Sequence, residues 1–157
     1  MAQKVLYDEF SSILLGVIRR YIKDFHYAED VLIESFIKIY TKVGDYKATG
    51  SFEGWMKRIA ANEALMFLRK RREFSFDDDK EIIIPDYTDT VEILYEKDLL
   101  RLLDELPTGY RTIFNLYVIE GYKHKEIAEI LDISINTSKS QLIHAKSRMR
   151  ELIEKTN

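Results

Sequence analysis

The fold is decided by residues 120–152, which read EGYKHKEIAEILDISINTSKSQLIHAKSRMREL. The first half of this stretch carries an apolar stripe at helical spacing, made of Ile127, Ala128 and Leu131. Asp132 falls at the break that follows, and Ser134 is a residue type that commonly caps the start of a helix. The pattern therefore predicts a helix, a three-residue turn and a second helix.

The second predicted helix has an apolar face and a basic face. Its inward positions follow a four-three-four-three spacing, at Ser138, Leu142, Ala145, Met149 and Leu152. Residues 135–150 contain four basic residues and no acid. Two short helices joined by a tight turn, the second of them basic, form the geometry that places a helix in the DNA major groove. The alternative is an ordinary helical hairpin in a bundle core, but it leaves the absence of acids unexplained.

Composition favours an all-α fold of one ordinary domain or two small ones. The 157 residues are 46% hydrophobic and 32% charged, so the chain can bury a core, and six Gly and two Pro are few. Without cysteine there is no disulfide or thiolate metal site, and His26, His124 and His144 are not spaced as metal ligands. No apolar run approaches a membrane span, and Asp8 and Glu9 precede the first one, unlike a signal peptide. We therefore expect a cytoplasmic protein without membrane insertion, metal or cofactor.

The net charge of −3 conceals a strong alternation of charge along the chain. Residues 46–72 hold seven Lys and Arg against two acids, whereas residues 77–98 hold nine acids against two Lys. Such alternation predicts two basic surfaces separated by an acidic segment. Residues 74–90, FSFDDDKEIIIPDYTDT, show no helical period and are predicted to be a flexible acidic linker. The linker divides the chain into two small helical domains, at residues 1–73 and 91–157.

The N-terminal domain is predicted to hold three or four helices, over residues 7–25, 27–43 and 51–72, with a turn-rich loop at residues 44–50. Ile13 and Trp55 are assigned to inward faces. The last helix ends in a basic run, Arg69-Lys70-Arg71-Arg72. The helix macrodipole accounts for one or two of these cations, and the rest indicate a polyanionic partner.

The C-terminal domain is predicted to be a four-helix unit that contains the helix-turn-helix. Ahead of that motif, apolar spacing predicts helices over residues 91–106 and 110–119, separated by a break at Pro107 and Gly109. In the second of these helices, Tyr117 is assigned to the inward face.

Two sets of residues match a known family. The C-terminal set is Leu106-Pro107, Arg111, Phe114, Glu120-Gly121-Tyr122, Glu126-Ile127-Ala128, Leu131, Ile133-Ser134, Thr137, Lys139-Ser140, Leu142 and Ala145-Lys146. The N-terminal set is Ala28-Glu29-Asp30, Glu34, Phe36, Phe52, Trp55, Arg58-Ile59-Ala60, Asn62 and Leu68-Arg69. These residues span both predicted domains in order, and with them the chain resembles the extracytoplasmic-function sigma factors, the small two-domain group of bacterial RNA polymerase sigma subunits.

The resemblance implies a non-catalytic factor that binds core RNA polymerase, docks on two elements of promoter DNA and opens it. It makes an anti-sigma factor a candidate inhibitor, and it implies no small-molecule substrate. The chain also lacks a glycine-rich phosphate loop, a nucleophile elbow and a helical metal-binding motif, so we expect no enzyme activity and no catalytic residue.

In this family the second helix of the helix-turn-helix reads the −35 promoter element. The resemblance implies −35 contacts at Lys139, Ser140, Ile143 and His144. On a helical wheel, Asn136 and Ser147 also lie opposite the apolar stripe and Arg148 flanks them, so we expect these three to contribute as well. The cations suit phosphates, and the outward side chains suit base edges. Ile143 fits contact with a thymine methyl group, although a place in a satellite core would also explain it.

The N-terminal domain of the family melts and reads the −10 element. The resemblance implies −10 contacts at Tyr46, Lys47, Lys57, Arg58, Asn62, Arg69 and Arg71. The loop at residues 44–50 lies where the family captures an unstacked base, which requires cations and aromatic or pocket contacts.

The predicted helix at residues 27–43 lies where the family docks on the clamp helices of the polymerase. The resemblance implies docking residues Asp30, Ile33, Glu34 and Lys38. Three of these, spaced four residues apart, share a helix face, while Ile33 replaces the glutamine that is usual in the family. An ordinary solvated helix face is the alternative.

One competing function remains open, an autonomous helix-turn-helix regulator that binds duplex DNA without polymerase. It explains residues 134–150 but not the cationic residues 46–72. A net charge of −3 also disfavours strong DNA binding in the absence of a partner.

Overall fold

The structure, a computed structural model, describes residues 1–71 and 96–156. The chain forms two compact units, Met1–Arg72 and Glu73–Asn157. Regular structure in both described ranges is helical, without a strand, which confirms the all-α prediction. The predicted acidic linker, residues 74–90, lies outside the described residues, so the proposed domain boundaries stay a prediction.

Over residues 1–71, the N-terminal unit contains three α-helices. They are α1 (Ala2–Tyr21), α2 (Phe25–Lys42) and α3 (Phe52–Lys70), and a 3-10 turn, Val43–Asp45, follows α2. The break between α1 and α2 falls earlier than predicted because Asp24 caps α2, its carboxylate accepting from the Tyr27 amide at 3.0 Å. Ser51 caps α3 in the same way, accepting from the Gly54 amide at 3.1 Å.

The three N-terminal helices enclose one apolar core. Its fully buried side chains include Leu14, Ile18, Tyr21, Ile39, Met56 and Leu68. The assignment of Ile13 to the inward face is wrong, since its side chain is 38% exposed. The buried stripe of α1 runs through Leu14, Val17, Ile18 and Tyr21, and Ile13 lies about 100° away from Leu14 around the helix.

The C-terminal unit contains four α-helices in the described range. They are α4 (Glu96–Glu105), α5 (Thr108–Phe114), α6 (His124–Leu131) and α7 (Ile135–Thr156). A central cluster joins α4, α5 and α7, and consists of Leu102, Leu103, Leu106, Phe114, Ala145, Met149 and Leu152. The predicted start of α4 at residues 91–95 lies outside the described residues.

A π-helical segment, Asn115–Ile119, extends α5 and changes its register. The amide of Glu120 donates to the carbonyl of Asn115 at 2.8 Å, five residues back rather than four. The added residue per turn rotates the side chains that follow it. The assignment of Tyr117 to the core is therefore wrong, because this ring is 37% exposed.

The predicted three-residue turn between α6 and α7 is confirmed. Asp132 takes the left-handed conformation, with φ 55° and ψ 53°, which its short polar side chain tolerates. Ser134 then caps α7, its hydroxyl oxygen accepting from the amide of Thr137 at 3.0 Å. All five predicted inward positions of α7 are buried, so the two helices form the expected helix-turn-helix.

Within residues 1–71 and 96–156, none of the helices combines the length with the apolar character that crossing a bilayer requires.

Candidate nucleic-acid interface

The residues predicted to contact the −35 element all lie on α7, outside its buried stripe. Three of them are exposed, namely Asn136, Lys139 and Arg148. The other four are half-buried, namely Ser140, Ile143, His144 and Ser147. These seven residues are therefore polar or cationic, with one aliphatic member, Ile143.

Some of these side chains are held by neighbours. The imidazole of His144 stacks on the ring of Tyr110, with 6.0 Å between centroids and 25° between planes. The hydroxyl of Ser140 donates to the carbonyl of Thr137 at 3.0 Å. Arg148 forms an exposed ion pair with Glu151 at 3.0 Å, a contact worth no more than about 1 kcal/mol, so its guanidinium can be redirected at little cost.

His124, at the start of α6, connects the two helices of the motif. Its Nδ1 lies 2.8 Å from the hydroxyl oxygen of Ser138, a fully buried residue of α7. Its ring stacks on Tyr117, with centroids 4.5 Å apart. Burial lowers the pKa of His124 below its usual 6.5, with further contributions from Lys139 and Lys146. The sequence carries no local signal of this pairing, because it depends on how α6 crosses α7.

In the N-terminal unit, the loop after α2 and the start of α3 enclose an open cavity of about 440 Å³. Three predicted −10 residues line it together, namely Tyr46, Lys47 and Arg58. The structure adds Asp45, Thr49 and Trp55 to the lining, along with the backbone of Gly50 and Gly54. The volume falls in the range of roughly 300–1,000 Å³ that small-molecule sites occupy.

An aromatic cluster shapes the wall of this cavity. Tyr46 lies 5.3 Å from Phe52 and 5.4 Å from Trp55, measured between ring centroids. Phe52 and Trp55 stack at 5.6 Å with 22° between their planes. Trp55, assigned to the core from its sequence position, is only half-buried and serves both packing and the cavity wall.

The loop is held in a constrained conformation. The hydroxyl of Tyr46 donates a short hydrogen bond to the carbonyl of Gly50, which closes the loop on itself. Ala48, at its tip, has φ 53°, a left-handed conformation that costs a residue with a Cβ about 1–2 kcal/mol. Strain of this kind persists where surrounding contacts over-determine the backbone, as the Tyr46 hydrogen bond and the aromatic cluster do here.

The other predicted −10 residues lie along α3 and outside the cavity lining. Asn62 and Arg69 are exposed. Lys57 forms an ion pair with Glu53 at 3.1 Å. Arg71 places its guanidinium over the ring of Tyr27, 4.3 Å from the centroid. From Arg58 to Arg69 the helix rises by about 16 Å, so these residues form a track and not one cluster.

The predicted docking residues lie on α2. Asp30, Ile33 and Glu34 are exposed, and the Ile33 side chain is 54% accessible. Ile37, one turn further on, is equally exposed and was missed, although its spacing from Ile33 could have revealed it. The face of α2 therefore combines aliphatic and acidic side chains.

Lys38 differs from the other docking candidates because it is tied to α3. Its ammonium forms a short ion pair with Glu63 and lies 3.8 Å from the sulfur of Met66. This contact fastens α2 to α3 at the edge of the predicted docking face.

Within the two described ranges, no group of three or more His, Asp or Glu is placed to hold a metal ion.

Comparison with known proteins identifies both units. The family model for Sigma-70 region 2 matches residues 6–74, and the model for Sigma-70, region 4 matches residues 96–149. The chain is 31% identical over 156 residues to the RNA polymerase sigma-H factor of Pseudomonas aeruginosa, covering 90% of this chain and 79% of that protein.

Two further relatives agree with this match. The ECF RNA polymerase sigma factor SigE of Mycolicibacterium smegmatis is 30% identical to this chain over 137 residues. The match covers 83% of this chain and about half, 53%, of that relative's length. The fold is similar to that of the sigma factor RpoE from Bartonella quintana, solved in complex with the anti-sigma factor NepR. That match has a TM-score of 0.58 and 23% identity, and covers 96% of each chain. The chain therefore belongs to the extracytoplasmic-function (ECF) group of RNA polymerase sigma factors.

Proposed function

We propose that this sigma factor binds core RNA polymerase and directs it to promoters through two DNA surfaces, one in each compact unit. The observation that carries the proposal is the pairing of two features in one chain. Residues 135–150 of the recognition helix contain no acid, and a cavity of about 440 Å³ is lined by Lys47, Arg58 and aromatic rings. A regulator that binds duplex DNA alone has use for the first surface and none for the second.

In the proposed function, α7 lies in the major groove of the −35 element. Lys139 and Arg148 contact phosphates, which supplies affinity without sequence preference. Asn136, Ser140 and Ser147 face base edges, and Ile143 packs on a thymine methyl group. His144 reads its position from a fixed orientation because Tyr110 supports its ring.

At the −10 element, the cavity receives a base that has left the stack. Flipping costs a few kcal/mol, and stacking on aromatic side chains offsets about 1–3 kcal/mol for each base. Tyr46 and Trp55 provide such rings, while Lys47 and Arg58 contact the neighbouring phosphates. The track of residues on α3 then follows the DNA backbone, and consists of Lys57, Asn62, Arg69 and Arg71.

Docking on core polymerase uses the exposed face of α2. Asp30 and Glu34 supply charge complementarity, and Ile33, together with Ile37, supplies apolar area that is otherwise exposed. Lys38 acts in this interface as a positioning residue, because its ion pair with Glu63 holds α2 against α3.

The wider assignment follows from the same proposal. The domains are residues 1–73 for core docking and the −10 element, 74–90 as the acidic linker, and 91–157 for the −35 element. The protein acts in the cytoplasm with polymerase and promoter DNA as partners, as a non-enzymatic factor without a cofactor or small-molecule substrate. An anti-sigma factor, such as the one bound to the Bartonella quintana relative, is the class of inhibitor that would hold it inactive.

The test is reconstitution with bacterial core polymerase on a library of genomic fragments, with transcript 5′ ends read by sequencing. We expect the chain to co-purify with core and to create discrete start sites that core alone does not produce. Specific binding to duplex DNA by the chain alone, without core binding or new start sites, would overturn the proposal in favour of the autonomous regulator.

A further inference from the structure

One acidic residue lines the cavity beside the loop, and the capture of DNA does not by itself explain its presence. Asp45 lines it together with Lys47 and Arg58. In the part of the chain that the structure describes, the Asp45 carboxylate accepts no hydrogen bond and forms no ion pair. An exposed acid repels the phosphates of any strand that enters, so its presence calls for a compensating contact.

An ionised carboxylate can only accept hydrogen bonds. Adenine, cytosine and guanine each carry an exocyclic amino group that donates, and guanine presents a second donor beside it. Thymine instead presents two carbonyl oxygens on either side of its single N–H. A carboxylate that approaches the pairing edge of thymine therefore meets lone pairs, whereas it meets a donor on the other three bases.

The remaining polar groups of the cavity do not make this distinction. Lys47 and Arg58 donate to the phosphate of any nucleotide. The hydroxyl groups of Thr49 and Ser51 both donate and accept, so they match either kind of base edge. The rings of Tyr46 and Trp55 stack on any base.

We propose that Asp45 makes this cavity selective for a base with an exocyclic amino group and excludes thymine. The inference rests on the proposed function, because it specifies which base the −10 cavity accepts. The shared lining supports it, since Asp45 borders the same cavity as Tyr46 and Trp55, the rings on which the captured base would stack.

The experiment uses core polymerase loaded with the full chain and a promoter from the genomic library whose −10 element is randomised. DNA bound in open complexes is sequenced, and the enrichment of each base at each −10 position is measured. With the wild-type chain, we expect one position at which thymine is depleted at least about fivefold relative to the best amino-bearing base.

Asp45→Asn is the discriminating variant because an amide group both donates and accepts. At the same position it should admit thymine, reducing the depletion to below about twofold. Asp8→Asn is the matched control, since it removes the same charge from an exposed position on α1, away from the cavity lining. It should keep the wild-type preference, and Asp45→Ala provides a second variant in case the amide perturbs the loop.

Each outcome decides the inference. Thymine tolerated at every −10 position by the wild-type chain, or an unchanged preference in both Asp45 variants while they still form open complexes, overturns the selectivity and leaves the proposed function intact. If no open complex forms on any DNA with the wild-type chain, the proposed function fails, and the inference falls with it.

Discussion

Nδ1 of His124 lies 2.8 Å from the hydroxyl oxygen of Ser138, which joins the first helix of the helix-turn-helix to the recognition helix. The contact lies on the buried side of α7, and Lys139, one of the residues predicted to contact DNA, follows Ser138 directly. Because the imidazole is partly buried and close to cations, its charged form is disfavoured in the folded protein.

Acidification is expected to weaken the packing of α6 on α7. In the folded protein the pKa of His124 is lowered from 6.5. Well above pH 6.5 its imidazole is therefore neutral in both the folded and the unfolded chain, and its titration does not change the free energy of unfolding. As the pH falls through 6.5, the unfolded chain binds the proton first, and the free energy of unfolding decreases until the folded pKa is passed. Hydrogen exchange of the α6 and α7 amides between pH 7.5 and 5.5 measures this loss.

The pH effect should belong to His124 alone. In His124→Gln, the α6 and α7 amides should lose less protection from hydrogen exchange as the pH falls. In His26→Gln, which changes an exposed position in the other unit, they should lose as much protection as in the wild-type chain. An undiminished loss in His124→Gln would show that other groups are responsible.

Arg111 is expected to be a major determinant of C-terminal stability. Its side chain is only 5% exposed and donates to the carbonyls of Leu103 at 2.8 Å and Leu106 at 2.9 Å, at the C-terminal end of α4. Arg111→Ala leaves these carbonyls without their donor, so we expect a loss of about 2–4 kcal/mol in urea unfolding. Arg101 lies on α4 and forms an exposed ion pair with Asp98. Arg101→Ala should therefore lower the free energy of unfolding by less than about 1 kcal/mol. Equal losses in the two variants would refute the capping role.

Relief of backbone strain at Ala48 should stabilise the N-terminal unit. Glycine adopts a positive φ without the steric cost that the Cβ of Ala48 incurs, so Ala48→Gly should raise the free energy of unfolding by about 0.5–1 kcal/mol. Ala61→Gly, within α3, should instead lower it by about 1 kcal/mol or more. Thermal unfolding followed by Trp55 fluorescence compares the stability of the two variants with that of the wild-type chain. A lower stability of Ala48→Gly would contradict the strained conformation.

The exposed aliphatic face of α2 should contribute to binding core polymerase. Burying the exposed half of the Ile33 side chain is worth about 1 kcal/mol, so Ile33→Asn should weaken core binding about fivefold without lowering the unfolding temperature. Val5→Asn is the control, because Val5 is an exposed aliphatic residue on α1. Fluorescence anisotropy of the labelled chain titrated with core measures both affinities, and equal effects would count against α2 as the docking face.

The helix-turn-helix could be predicted from sequence because its signals are local. The cap at Ser134, the left-handed turn at Asp132 and the apolar spacing of α7 each depend on residues within a few positions of one another. Tyr117 was misplaced for the opposite reason. A regular helical period was assumed through residues 115–119, and the π-helical segment there changes the register.

The cavity was only partly predictable. The family resemblance implied Tyr46, Lys47 and Arg58 as contacts of the −10 element, and the structure brings these three residues to one cavity. Asp45 was missed because its place in the lining depends on how the loop folds back on α3, a tertiary contact that leaves no periodic signal. Whether these residues contact DNA remains a prediction.

We propose that the chain, when bound to core polymerase, reads two promoter elements through two separate surfaces. The most direct measurement is transcription from one of its promoters with either element scrambled, using wild-type chain, Lys139→Ala and Arg58→Ala. We predict that scrambling the −35 element abolishes the effect of Lys139→Ala but not that of Arg58→Ala, and that scrambling the −10 element does the reverse. Variant effects that do not depend on which element is scrambled, or transcription that does not require core polymerase, would contradict the account.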